Sequence, residues 1–466
     1  MSPSLSTLRM RALCVLAATV VAAATLTASG AGAQASDGKA SSSPSAARAT
    51  NPVTPGDFTG FGFDQCLAPN QKQMDTWLAT SPYLAVGIYI SGDSRACRSQ
   101  PNLTPTWVAT QLAKGWRLLP ITLGPQASCQ PRFPRYSDDV KIDPNPGTKQ
   151  VYAPSRRQGV AEADKTVKDA AALGIVRGST LWYDLEGFDA ANERCRESAL
   201  SFLSGWTTRL HKHGYVSGVY SSAGSGIAAL DSARINRPTR FTLPDMIWLA
   251  RWDGVANTSS SYLREDGWRP GRRVKQYKGG HDEVHGGVRI NIDTNFLEVG
   301  RGSVAAPETR CGGINVSFST YPVLRPPANG VKPSKPHVKA LQCLLKEKGL
   351  YQGNIGGGWS KRLVAAMNAY QRSAGLGLDR VWWIRGWVSV LASGDKVVLK
   401  RGSVGPAVRR VQRALNATGV GKAIAITGVF DARTDAKLRA WQAKAKVPVN
   451  GVMQDASWAP LLKGRR

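Results

Sequence analysis

From residue 58 to residue 297 the chain repeats one unit: a short run of apolar, β-branched and aromatic residues, then a turn, then usually a stretch with helical apolar spacing. The runs at 58–64, 83–90, 116–123, 179–186, 215–220, 246–252, 272–277 and 289–297 read as strands. The stretches at 70–80, 104–114, 154–173 and 192–213 read as helices, the third with Ala161, Val167, Ala170 and Ala171 as its apolar stripe. Eight strands interleaved with helices over roughly this length predict an α/β fold, a (β/α)8 TIM-type barrel.

Barrels of this kind place their chemistry at the C-terminal ends of the strands. Polar groups recur at those ends. Asp64 closes the first strand, and Asp184 and Glu186 the fourth. Trp252 and Asp253 close the sixth, Gln276 and Tyr277 the seventh, and Asp293 lies on the eighth with Asn291 and Asn295 on its face. The fourth strand, S-T-L-W-Y-D-L-E-G-F at 179–188, is the most informative. Side chains alternate along a strand, so Asp184, Glu186 and Trp182 share a face, with the two carboxyl-bearing Cα atoms roughly 6.6 Å apart. The apolar neighbours argue against a solvated edge, and buried carboxyls need a reason. By the same parity Trp252 and Trp182 face the interior. Trp252, at the mouth, suits stacking on a sugar ring, while Trp182 is deeper and suits the core.

Charge and the first residues restrict the partners. The formal charge is +29, and residues 331–466 hold 25 Lys and Arg against 6 Asp and Glu. Such a field attracts nucleic acid, anionic membrane or an anionic cell wall. Arg9 and Arg11 precede an apolar run at 12–26, followed by small residues with cleavage candidates near Ala33 and Ala35. This is a secretory signal peptide over 1–35, too short for a membrane span. The two arginines are not adjacent, and Cys14 comes before the apolar run develops, so neither a twin-arginine route nor a lipoprotein is indicated. Export sets nucleic acid aside, leaves no membrane span in the mature chain, and makes peptidoglycan and anionic wall polymers the expected partners, with secreted or wall-associated localisation.

Of seven cysteines, six remain after processing, and an even number outside the cytoplasm indicates three disulfides. Fifteen pairings are possible. The strand order, which sets certain loops side by side, favours Cys66–Cys97, Cys129–Cys195 and Cys311–Cys343. No C-x-x-C spacing points to zinc. His281 and His285 are four apart, but G-G-H-D-E-V-H-G-G reads as a hairpin tip, so no metal and no cofactor is expected. Ser221, Ser222 and His213 form no nucleophile motif, and Asp253 reads better as a turn cap than as a sugar ligand.

Taken in order, G-F-G-F-D at 60–64, Y-D-L-E at 183–186, G-V-Y-S at 218–221, I-W-L-A-R-W at 247–252 and K-Q-Y with I-D-T-N-F at 275–296 resemble the glycoside hydrolase family 25 lysozymes, and more closely the related actinobacterial glycoside-hydrolase-like domain. The resemblance covers 58–302. It implies a (β/α)8-type barrel, Glu186 as general acid, Asp184 as the group assisting substrate or intermediate, and Asp64 and Asp293 lining a sugar site; Gln276 and Trp252, by their strand-end positions, are further expected substrate-binding residues. Here strand one continues D-Q-C where the lysozymes have a serine-containing stretch, and the loop 124–153 is long with its own cysteine. Glycosidic cleavage needs a protonated carboxyl and a second group that stabilises the anomeric carbon. Burial and like-charge repulsion at the D-x-E pair would raise a carboxyl pKa for that purpose.

After a flexible lead at 36–57 and the barrel, a linker at 303–334 precedes two repeats. The Pro-rich part, 322–336, reads as a semi-rigid spacer. Residues 337–350 match 407–420, and 357–376 match 428–447. The second unit, 394–466, resembles the type 1 peptidoglycan-binding module; the first, 335–393, is degenerate, with Ser360 against Asp431 and Leu363 against Thr434. Val408, Val411, Leu415, Leu438 and Trp441 read as core of a small all-α region. Binding would then fall to Asp431, Arg433 and Thr434. The expected whole is a secreted, wall-targeted glycosidase-like protein. The alternatives are a non-catalytic glycan binder and a hydrolase of another polysaccharide.

Overall fold

The computed structural model describes residues 50–149 and 151–466; the expected signal peptide and most of the flexible lead lie outside the described residues. Eight strands close a barrel in chain order: β1 Phe58–Asp64, β2 Tyr83–Ser91, β3 Arg117–Thr122, β4 Thr180–Asp184, β5 Val216–Ser222, β6 Met246–Ala250, β7 Arg272–His285 and β8 Val288–Val299. Helices α1 Gln71–Thr80, α2 Pro105–Ala113, α3 Ala153–Ala172, α4 Glu193–Lys212 and α5 Ala228–Asn236 follow the first five strands. Local sequence starts several of them. Asn70 and Gln73 form a capping box on α1, Thr104 caps α2 ahead of a proline in its first turn, and Asn192 caps α4. Inside the barrel Trp182 and Trp248 meet edge to face at 5.6 Å, both fully buried.

The barrel departs from eightfold βα repetition at its end. β8 is antiparallel to both β7 and β1. Parallel strands need a crossover of a dozen or more residues. Only Gly286 and Gly287 separate β7 from β8, both with positive φ, so the chain makes a hairpin. The hairpin carries β7 well past the expected residue 277, and His281 and His285 on it both bond to Glu283. The chain from β6 to β7 is irregular. Helix α1 reaches the outer face of β1 and β8 through Trp77, which packs on Phe63 at 5.0 Å and donates to Val288 O at 3.1 Å.

The C-terminal region covers the same face at Phe61 and Phe296. It is all-α: α6 Lys335–Glu347, α7 Lys361–Ala374, α8 Ile384–Ala392, α9 Pro406–Thr418, α10 Ala432–Lys444 and α11 Asp455–Leu462. Each repeat contributes three helices, and Val408, Val411, Leu415, Leu438 and Trp441 are buried in one core with residues of the first repeat. Short helices such as α8 lack enough turns to show a period, so the repeat pattern alone does not reveal them. The joint is packed as well. Leu324, within the stretch expected as a spacer, is buried and exchanges backbone hydrogen bonds with Trp382, while Glu308 pairs with Arg413 and Arg310.

Between the halves, Arg401 lies over Phe61 and Phe296 at 5.1 and 4.9 Å. Ser303 Oγ donates to Gly402 O at 3.0 Å. Gly402 has φ +97°, and a Cβ there would sit 2.3 Å from the Phe58 ring, so only glycine fits this contact. Lys400 is buried, and its ammonium donates to the carbonyls of Trp77, Leu78, Ser81 and Tyr83 at the end of α1 and the start of β2. Disulfides join Cys66 to Cys97, Cys129 to Cys195 and Cys311 to Cys343.

Candidate active site at the barrel mouth

Two cavities share the C-terminal mouth and meet at Glu186. One, of about 270 Å³, is lined by Asp64, Tyr89, Arg95, Arg135, Glu186 and Asp293, among others. The other, of about 440 Å³, is lined by Arg132, Glu186, Tyr220, Arg251, Trp252 and Tyr262, among others. The strand ends thus bring Asp64, Glu186, Asp293 and Trp252 to one opening, with Gln276 bonded to two of them and Asp184 buried beside them.

Asp184 ends β4 and is 2% exposed. Its Oδ2 accepts from the Tyr89 hydroxyl at 3.2 Å, while Oδ1 is buried without a partner among the described residues. Burial first, and then the charge of Glu186, holds its carboxyl well above the usual range. Glu186 lies beyond the strand's end, and its Oε2 accepts from Arg132 at 2.9 Å. The intervening backbone is held by one side chain: Gln126 donates to Asp184 O and accepts from the Glu186 N–H, both at 2.8 Å.

Asp64 and Asp293 face each other across the paired β1 and β8. Asp64 accepts from Asn295 Nδ2 at 2.6 Å and from Gln276 Nε2 at 3.3 Å. Burial, then repulsion from Asp293, outweighs these bonds and pushes Asp64 up to about 8. Burial raises Asp293 as well. Two adjacent carboxyls, both raised, disfavour full ionisation of the pair. Gln276 Oε1 accepts from Tyr220 and from Trp252 Nε1, each at 2.9 Å, so one amide ties the acid pair to the aromatic rim.

Trp252 is not an interior residue. β6 stops at Ala250, and the indole lies 66% exposed on the rim of the larger cavity. Asp253 accepts from the Val255 N–H and pairs with the buried Lys275, a structural position. In the tail, Asp431 caps α10 and accepts from both the N–H and the hydroxyl of the buried Thr434. Arg433 points elsewhere, into a groove with Val420, Lys422, Ile424 and Lys437. Sequence pattern does not reveal Tyr89, Gln126, Arg132 or Tyr220. Tyr89 and Tyr220 lie on recognised strands and were open to a parity argument; Gln126 and Arg132 sit on a loop with no period to read.

A closed barrel with acids converging on its C-terminal mouth is followed by a small all-α region, and each part has a counterpart among known domain families. More narrowly, residues 75–297 match the Rv2525c-like, glycoside hydrolase-like domain family, and residues 404–460, in the second repeat, match the putative peptidoglycan binding domain family. No curated protein is a significant match. Among solved structures, the Mycobacterium tuberculosis Tat-secreted protein Rv2525c, in complex with L-tartrate, is 13% identical, with 52% of this chain and 98% of that one covered and a TM-score of 0.35. An uncharacterized B. stearothermophilus protein is 18% identical over 51% of this chain and 95% of that one, TM-score 0.31. The modular autolysin LytC from Streptococcus pneumoniae is 12% identical over 51% and 46%, TM-score 0.31.

Proposed function

We propose that this is an exported cell-wall protein whose barrel mouth binds the glycan strand of peptidoglycan and hydrolyses a glycosidic bond, while the helical tail attaches it to the wall. The observation that carries this reading is the convergence of Asp64, Glu186 and Asp293 on one cavity, where burial raises the pKa of both Asp64 and Asp293. Glycosidic cleavage requires a proton donor for the leaving oxygen and stabilisation of positive charge at the anomeric carbon. Glu186, at the junction of both cavities, is the residue assigned the proton transfer. Asp184 is a positioning residue that acts through Tyr89 and through its charge coupling to Glu186. Trp252 offers an exposed ring for stacking on a sugar, and the two cavities give room for units on either side of the bond. The domain-family match of the tail, its excess of positive charge and the groove at Arg433 support wall attachment.

One observation favours a second reading. Arg132 occupies the Glu186 oxygen that would deliver the proton. If no substrate displaces it, the mouth binds glycan without cleaving it, and the protein organises the wall. Incubating purified peptidoglycan with the wild type and with Glu186→Gln separates the two. Reducing ends released by the wild type alone support hydrolysis. Equal pelleting of both proteins with no release supports binding.

A further inference from the structure

The acids share their cavity with two arginines. Arg95 and Arg135 line the same cavity as Asp64, Glu186 and Asp293. They come from two different loops, after β2 and after β3, and both loops are fixed. Cys66–Cys97 fastens the first and Cys129–Cys195 the second. The loops are also tied to each other. Arg98 pairs with Asp138 at 2.8 Å and Asp139 at 3.1 Å, Arg135 Nη1 donates to Ser94 O at 2.9 Å, and the Tyr136 hydroxyl donates to Ala96 O at 3.2 Å.

The two guanidiniums are under-used. A guanidinium carries five N–H donors. Arg95 donates to Tyr89 O at 3.2 Å, and its Nε is buried with no partner; Arg135 donates from its side chain to Ser94 O alone. Neither is in an ion pair among the described residues, unlike Arg132 and Arg98. Burial pushes the Arg95 pKa down, with Asp169 and Asp93 partly opposing it. Two unpaired, pre-positioned planar cations in a cleft match a carboxylate, which accepts two parallel N–H bonds from one guanidinium. Burial raises both carboxyls of the facing Asp64–Asp293 pair, which lowers the negative charge an entering anion meets there.

We propose that Arg95 and Arg135 form a carboxylate subsite beside the acids, so that the barrel prefers a glycan whose sugar at that position carries a free carboxylate. This rests on the reading of the mouth as a glycan site and narrows it. Two sugars supply that chemistry: a muramic acid whose lactyl group bears no peptide, and a uronic acid. Both present the acid as a side group of the ring, within reach of a cavity wall.

The test is calorimetric titration of the full mature chain at low salt. The ligands are a peptide-free tetrasaccharide of alternating N-acetylglucosamine and N-acetylmuramic acid, the same tetrasaccharide with its carboxyls reduced to alcohols, and a glucuronic acid-containing tetrasaccharide. At least one acid ligand should bind about tenfold or more tightly than the reduced one, the scale of one charge-assisted hydrogen bond. The tighter acid identifies the source. Arg95→Gln and Arg135→Gln should each remove most of the preference; Arg135 is exposed, so its variant tests the subsite without disturbing the core. Equal binding of acid and reduced ligands, no binding of any, or a preference that survives both substitutions would overturn the subsite. Pelleting with peptidoglycan, measured in parallel, reports on the wider glycan reading: pelleting without acid preference sinks the subsite alone.

Discussion

Replacing Lys400 with methionine should loosen the whole molecule, although Lys400 is far along the chain from every acid of the mouth. Its ammonium donates to Ser81 O at 2.7 Å, Tyr83 O at 3.1 Å, Trp77 O at 3.3 Å and also Leu78 O. Trp77 O keeps other donors, the Ser81 N–H at 3.0 Å and the Ser81 hydroxyl at 2.6 Å. Leu78 O and Ser81 O have no other donor among the described hydrogen bonds. Each buried carbonyl left without a partner costs roughly 1–3 kcal/mol. A cation at the C-terminus of α1 adds a favourable dipole interaction of roughly 0.3–1 kcal/mol. Against this, methionine removes the cost of burying a charge, several kcal/mol in its own right. These losses sum to roughly 2–7 kcal/mol and the recovered burial cost offsets part of them, so with methionine filling the aliphatic space the net loss is about 1–3 kcal/mol, or about 2–6 °C in Tm at ~2 °C per kcal/mol. Thermal unfolding followed by near-ultraviolet circular dichroism measures the loss, and hydrogen exchange at the end of α1 localises it. Lys444→Met, on an exposed lysine, should leave both unchanged. If Lys400→Met unfolds at the wild-type temperature with unchanged exchange in α1, the latch between barrel and tail has been misjudged.

Further predictions concern the mouth and the wall. Asp64 holds its proton to about pH 8 in the fold against 3.8 in the unfolded chain, so the folded state binds more protons across that window and stability falls as pH rises through it; Asp64→Asn should flatten this slope in denaturant titrations run from pH 5 to pH 9. Trp252→Ala should weaken binding of soluble glycan fragments by about threefold to tenfold, a stacking contribution of about 0.5–1.5 kcal/mol, with no change in Tm because the ring is exposed. Lys422→Glu with Arg433→Glu should reduce pelleting with cell walls, and wild-type pelleting should decline as salt rises; unchanged pelleting would move the anchor away from this groove. These point changes are better probes of the tail than its deletion, which would uncover the outer face of β1 and β8 beneath Arg401.

Much of the barrel is visible in the sequence because its strands are short apolar runs and its long helices bring strong caps such as Asn70 and Asn192. The antiparallel β8 is visible only if the connection is measured. Eleven residues between 277 and 289 are too few for a crossover helix, and two glycines at 286 and 287 make a hairpin natural. Strand parity finds Asp64, Asp184 and Asp293, since β-alternation survives at strand ends. It misplaces Trp252, because β6 ends two residues earlier than its apolar run suggests. What parity does not reach is the layer supplied by the loops. Gln126, Arg132, Arg95 and Arg135 have no period, and their positions depend on which loops the disulfides and the Arg98 pairs draw together. The latch at Lys400 is equally hidden, because a lysine in a basic tail reads as surface charge until a partner surface buries it.

The central claim is that the acids at the barrel mouth hydrolyse wall glycan. The most direct measurement is mass spectrometry of peptidoglycan fragments formed in water enriched in heavy oxygen, with wild-type protein and with Glu186→Gln. Hydrolysis of a glycosidic bond places a heavy oxygen from solvent in the products, at a new sugar end, in the wild-type reaction alone. Unlabelled, undigested glycan from both proteins, with both still bound to the wall, would contradict hydrolysis and leave a glycan-binding barrel in its place.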